Sequence, residues 1–444
     1  MSDGLNNDNT MLCSRKGRFI NVDQTYQGLL KEIGVNLELH DQLIEYNNRN
    51  HERTHRSAKN RPNEMAYFDE SFHASHGSRV AEIYEYRKRG GKSIGTFCIY
   101  VPDEIALAAN VLPIPLCGGS HWSVDYADKM LPRDICPLIR STFGMAFSGT
   151  CPYKKLKDGV VGETTCDAKK KTWDLMKFEV MEVPQKKNER DRELWRAEVR
   201  DFTTYVENLS GVKVTPERLK ETIALVNSKR TALQRVNEYR KLPHPPISGL
   251  DALLVSQVAL NQDIKTFVDG CERLLEELHE RVEKGISAFS NSGPRILLAG
   301  TPSPMGNAKV HYAIESSGMR IVADESCTGM RYFRNIVDDT HDNLDDMLDA
   351  VADRYFNIDC YCFSPNKERV DNIQTLVEEY SVDGVVQNIL SFCQGYNVEA
   401  KVIETALVQR KIPSIKIVTD YSYEDVEQLR VRLESFREMM ESNC

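Results

Sequence analysis

The chain has 444 residues, 41% apolar and 28% charged, which suits a soluble globular protein of about three domains at roughly 150 residues each. Its 57 Lys and Arg against 66 Asp and Glu leave a net charge of −9, which argues against a nucleic-acid coat or a membrane-surface binder, because both need a positive field. No apolar run reaches the roughly 18 residues of a transmembrane helix, and the opening MSDGLNNDNTMLCSRKGRF lacks the apolar core of a secretory signal, so a cytoplasmic protein is expected.

Residues 1–90 are polar and predict a mostly helical extension, with helical patches at Gln24–Leu30 and Leu37–Tyr46 and a solvated connector at Asn48–Pro62 without evident chemistry. Residues 91–187 predict a first α/β domain. Short apolar runs at Ser93–Tyr100, Leu112–Leu116, Asp158–Thr165 and Phe178–Pro184 read as strands, and DEIALAANV and DAKKKTWDLM read as helices between them. Pro102, Asp103 and Glu104 suit the first turn of the former helix. Residues 188–290 hold long stretches of good helix formers at 3.6-type spacing, broken at Pro243, Pro245 and Pro246. They predict a helical segment clasping two lobes. Residues 291–444 return to alternation, with RILLAG, MRIVADE, RYFNID, VDGVVQNI and PSIKIVTD as strands and YEDVEQLRVRLESFREMME as the closing helix. Strands alternating with helices imply parallel sheets, here in two α/β domains.

Twelve cysteines are too few for a disulfide scaffold of this length, and disulfides are rare in the cytosol. They are therefore buried apolar groups, metal ligands or redox groups. Five fall at or just past predicted strand ends: Cys117, Cys166, Cys327, Cys360 and Cys393. That edge is where open parallel sheets bind ligands. Cys136 precedes Pro137 at a predicted helix start, where the dipole favours thiolate. Cys13, Cys98, Cys271 and Cys444 lie off this edge and read as structural, with Cys151 and Cys362 as reserves near proposed ligands. Zinc sites bring close pairs, and here only Cys360 and Cys362 are close. The other spacings are 19 and 30 residues in the first half and 33 and 33 in the second. Long-spaced thiolates converging between domains suit iron–sulfur clusters. Three per lobe could hold two cubanes, each with one iron left without a cysteine.

The strings GTFCIYVPDEIALAANVLPIPLCGG, LPRDICPLIRSTFG and DGVVGETTCDAKKKTWDLM resemble the 2-hydroxyacyl-CoA dehydratase and benzoyl-CoA reductase superfamily. The second half agrees, in RILLAGTPSPMGNAKVHYAIESSGMRIVADESCTGMRYF, IDCYCFSPNKERVDNI and VDGVVQNILSFCQGYNVE. The resemblance covers residues 90–184 and 293–440, and TTCDAKKK and DESCTGMR are its more specific motifs. It implies two flavodoxin-like domains plus helices. Six cysteines at matching places make the chain similar to the double-cubane-cluster proteins, in which one chain carries two 4Fe-4S units bridged by sulfide, an 8Fe-9S cluster. The resemblance then implies a homodimeric, anaerobic reductase of small molecules that takes low-potential electrons from an ATP-hydrolysing iron–sulfur activator. Two alternatives stand beside it. One is a catalytic subunit of a 2-hydroxyacyl-CoA dehydratase or benzoyl-CoA reductase with one 4Fe-4S cluster, and the other is a non-catalytic electron-transfer protein.

Other motifs carry weaker chemistry. RGGKS at Arg89–Ser93 has Tyr86 where a P-loop needs glycine and precedes a strand, which argues against nucleotide hydrolysis by this chain. His121, just past Cys117, is a candidate proton donor or simply a turn histidine. The amides of TPSPMGN at Thr301–Asn307 could face an anion or merely start a helix. Arg140 and Arg331 could offset cluster charge or pair at the surface. Lys169–Lys171 reads as a solvated helix face or part of a docking surface for an acidic partner.

Overall fold

The structure, a computed structural model, describes residues 24–176 and 178–442. Four strands form the first sheet: β1 (Lys92–Thr96), β2 (Val111–Pro115), β3 (Gly159–Glu163) and β4 (Glu179–Met181). Four more form the second: β5 (Arg295–Gly300), β6 (Arg320–Glu325), β7 (Gly384–Leu390) and β8 (Ser414–Thr419). The spatial orders are β2-β1-β3-β4 and β6-β5-β7-β8, and every pairing is parallel. The two lobes thus repeat one flavodoxin-like topology. In such a sheet the order reverses beside the first strand, and a crevice opens there beyond the carboxyl ends. All residues of β5, β6 and β7 are buried, because helices cover both faces of a parallel sheet.

The helical segment ties the lobes together. Its helices span Glu189–Ser210, Pro216–Glu238, Gly249–Ala259 and Ile264–Glu283. Side chains of Asn188, Thr215, Ser248 and Asp263 accept first-turn N–H groups at the four starts, satisfying donors that a helix N-terminus leaves free. The Trp195 indole donates to the Ala352 carbonyl at 3.0 Å. Arg230, fully buried, bonds Glu104 of the first lobe at 2.6 Å and Tyr355 of the second at 2.9 Å. Every residue of Gly249–Ala259 is buried, the polar Asp251 and Gln257 included, which are held by hydrogen bonds to Arg61 and to the Ser303 carbonyl.

Three expectations are corrected. RYFNID is not a strand. Residues 354–356 end the helix Leu344–Phe356, capped by Asn343 and buried through Met347, Leu348, Val351, Ala352 and Tyr355. The helical periodicity lies mostly upstream of the six residues read as a strand. Asn48–Pro62 is no solvated connector. The helix Leu37–Arg53 runs through its first half, and His51, Thr54 and His55 are buried. Arg61 then clamps the extension to the helical segment by bonding both Asp69 and Asp251. Finally, β1 ends at Thr96, short of Cys98. Cys13 and Cys444 lie outside the described residues. Among the described residues no helix is long and apolar enough to cross a membrane.

Candidate metal centre

Beyond the strand ends the lobes enclose a cavity of about 750 Å³. Cys98, Cys117, Cys136, Cys151 and Cys166 line it from the first lobe, and Cys327, Cys360, Cys362 and Cys393 from the second. These are nine of the ten described cysteines, and all ten are free thiols. The tenth, Cys271, is buried within the helix Ile264–Glu283. The six cysteines singled out by sequence therefore share one cavity. His121 is not on its wall; it opens the short 3-10 helix His121–Lys129.

Each thiol is placed by local structure. Cys117 follows β2 and donates to the Phe97 carbonyl at 2.7 Å. Gly118 and Gly119 come next because side chains have no room there. A Cβ on Gly119 would stand 2.6 Å from the Met305 oxygen and 2.8 Å from the Pro304 oxygen, across the seam between lobes. Cys136 and Cys393 are the N-cap residues of the helices Pro137–Phe147 and Gln394–Gln409. Cys166 follows β3 and precedes the helix Asp167–Met176, whose Lys169 N–H points at its sulfur over 3.4 Å. Trp173 pins that helix by donating to the Glu163 carbonyl at 2.9 Å and stacking on Phe97. Cys360 reaches the cavity from the loop four residues past the helix Leu344–Phe356, not from a strand end.

Two sulfur pairs cross the seam. Cys98 hydrogen-bonds Cys327, and together with the Arg331 guanidinium it pulls the Cys327 thiol down to about 6. The same bond, with burial, holds Cys98 well above the usual thiol range. Cys136 is lowered by its bond from Cys393 and by the N–H groups of Leu138 and Ile139 at the helix start. Burial pushes Cys117 up to about 12. Thus the two lobes meet sulfur to sulfur, each pair with one sulfur favouring thiolate.

Buried charge surrounds these sulfurs. Arg331 Nη1 lies 3.4 Å from Cys327 Sγ and donates to Tyr396 at 2.6 Å, and its other nitrogens meet Glu325 and Asp359. Lys169, with its ammonium paired to Glu163, is buried on the cavity wall, which corrects its assignment to a solvated face. Arg140 instead pairs with Asp128. The TPSPMGN loop walls the cavity through Thr301, Pro302, Pro304 and Met305. Among the described residues, no three His, Cys, Asp or Glu side chains gather closely enough to hold one metal ion.

Sequence reasoning missed Cys98 and Lys169. The apolar run through Tyr100 hid the strand end at Thr96 that frees Cys98. Nothing in the lysine run marked Lys169 as the one that turns inward.

Two like α/β lobes facing each other across a thiol-lined cavity define the class of protein. The chain belongs to the 2-hydroxyglutaryl-CoA dehydratase D-component family, which it matches over residues 98–440. It is 36% identical over 382 residues to the putative dehydratase subunit YjiM of Escherichia coli, covering 84% of this chain and 98% of that one. It is 23% identical over 360 residues to the (R)-phenyllactyl-CoA dehydratase beta subunit of Clostridium sporogenes, covering 79% and 92%. It is 25% identical over 338 residues to a benzoyl-CoA reductase subunit of Thauera aromatica, covering 73% and 84%. Its relatives are thus dehydratase and reductase subunits.

Proposed function

We propose that the cavity holds an iron–sulfur cluster, in the form of a double-cubane 8Fe-9S group, and that the chain is a reductase of small molecules. The observation that carries this is the gathering of nine thiols from two lobes on one cavity wall without a disulfide. Soft sulfur donors select thiophilic metals and iron–sulfur clusters. In a cluster each thiolate meets a different iron, so thiols spread round a cavity fit such a group where a single zinc would need them gathered on one point. Cys117, Cys136, Cys166, Cys327, Cys360 and Cys393 are the proposed ligands, with Cys98, Cys151 and Cys362 on the same wall.

The cluster would supply single electrons at low potential, received from an ATP-hydrolysing iron–sulfur activator. The chain's own residues do the rest. The helix start at Cys136 and the Arg331 guanidinium beside Cys327 favour thiolate. Glu163 and Glu325 neutralise the two nearest buried cations, so little net positive charge remains to ease electron uptake. The two lobes and the helices between them wall the cavity, and a second copy of the chain completes the assembly as a homodimer.

A second reading is favoured by the relatives' names, which are those of acyl-CoA dehydratase and benzoyl-CoA reductase subunits. In it the chain is a 4Fe-4S subunit acting on an acyl-CoA thioester. Serine replacements test the ligands in either case. Cys166→Ser or Cys327→Ser is expected to lower iron content and low-potential reducibility, and Cys271→Ser neither. Full iron in both of the first two variants would overturn the assignment.

A further inference from the structure

The histidine-rich helices before residue 98 lie outside the family match, yet they form part of the cavity wall. His73 and His76 both line it. They differ in what stands behind them. His73 Nδ1 is 3.0 Å from Asn48 Oδ1, and an amide oxygen passes no proton on. His76 Nδ1 is 3.0 Å from His40 Nε2, in a buried contact between stacked rings. His40 is fully buried, and its remaining nitrogen, Nδ1, has no hydrogen-bond partner. That nitrogen lies 3.7 Å from the carboxylate of Asp41, whose side chain is 52% exposed. A rotation of this exposed carboxylate closes the gap. The series runs from solvent to cavity with a proton-exchanging group at every position.

We propose that Asp41, His40 and His76 form a proton relay that delivers protons to a substrate in the cavity. In the inward direction the Nε2–H bond of His76 breaks as its proton passes to an electron-rich substrate atom. The Nε2–H proton of His40 moves to Nδ1 of His76. Nδ1 of His40 takes a proton from the carboxyl group of Asp41, which solvent protonates again. Counting the solvent donor, four bonds to hydrogen break and four form, one proton enters, and both imidazoles end neutral with the proton moved from Nε2 to Nδ1, so that reorientation of the rings resets the relay. Burial holds His40 below its ordinary range and His76 well below it, so neither ring retains the proton in transit. The electrons come from the iron–sulfur group proposed above, and the role in catalysis rests on that reading. His76 is the group that would touch substrate; His40 and Asp41 act through it.

The test uses the full chain, purified without oxygen and labelled with histidine enriched in the heavy nitrogen isotope. Nuclear magnetic resonance is expected to show two ring nitrogens coupled through one shared proton. His40→Gln abolishes that coupling. Asp41→Asn, a change at an exposed side chain, keeps it but slows exchange of the shared proton with water by about a hundred-fold, in line with the loss of one positioned acid. Absence of the coupling in the unaltered chain, or exchange unchanged in Asp41→Asn, overturns the relay. Iron and sulfide content is read on the same samples. A cluster without the coupling refutes the relay alone, and a coupling without a cluster refutes the proposed function alone.

Discussion

Arg230 offers a quantitative test of how the two lobes are held around the cavity. Its guanidinium is fully buried and joins Glu104, also fully buried, to the Tyr355 hydroxyl of the other lobe. Tyr355 donates in turn to Glu104 at 2.8 Å and lines the cavity. In Arg230→Met the Glu104 carboxylate stays buried without its main cation, at a cost of about 3–5 kcal/mol. Adding Glu104→Gln removes the stranded charge and leaves an amide oxygen for Tyr355. The double variant is therefore expected to recover about 2 kcal/mol of the single loss, a coupling within the range for residues in contact. The sign of the pH dependence follows. Arg230 is the leading cation that holds Glu104 below its ordinary range against burial, so its stabilising share is present above the ordinary carboxylate pKa and is lost as pH falls through the lowered value. In Arg230→Met burial prevails and raises Glu104, so the deficit is largest at neutral pH and shrinks in acid. Urea unfolding followed by the fluorescence of buried Trp195 reads both effects. Losses that add within about 0.5 kcal/mol, or a deficit that grows in acid, would refute the reasoning.

Three more outcomes are expected. Gly119→Ala forces a Cβ onto backbone oxygens of Pro304 and Met305, which cannot turn aside, and should cost about 1–3 kcal/mol in thermal unfolding. Leu254→Ala empties a site in the fully buried helix Gly249–Ala259 and should cost about 2–5 kcal/mol by the same assay. Arg331→Gln removes the cation 3.4 Å from Cys327 and, on the proposed function, should make electron uptake harder. A redox titration would show a lower midpoint, by about 60 mV for each 1.4 kcal/mol of lost stabilisation.

Much of this architecture was legible because parallel strands buried on both faces are short and continuously apolar. RILLAG and MRIVADE read as strands for the reason that β5 and β6 are wholly buried. The cysteine pattern was legible through the same strands, since Cys117, Cys166, Cys327 and Cys393 follow their carboxyl ends. What escaped depended on tertiary contact. RYFNID has strand-like residues, but the apolar spacing from Met347 to Tyr355 makes it the end of a helix. Lys169 sits among three lysines, and only the buried Glu163 carboxylate selects it for the interior. The polarity of Asn48–Pro62 suggested solvent, yet His51 and Arg61 are polar because they pair inside, His51 with Asp69 and Arg61 with Asp69 and Asp251. His40 and His76 are 36 residues apart, and no local pattern announces their contact.

The central claim is that nine thiols on one wall exist to hold a large iron–sulfur group. Iron and acid-labile sulfide per chain, measured on protein purified without oxygen, test it most directly. The account predicts about eight irons with comparable sulfide. About four would move the chain to the acyl-CoA dehydratase subunit reading, and zinc without sulfide would contradict the claim.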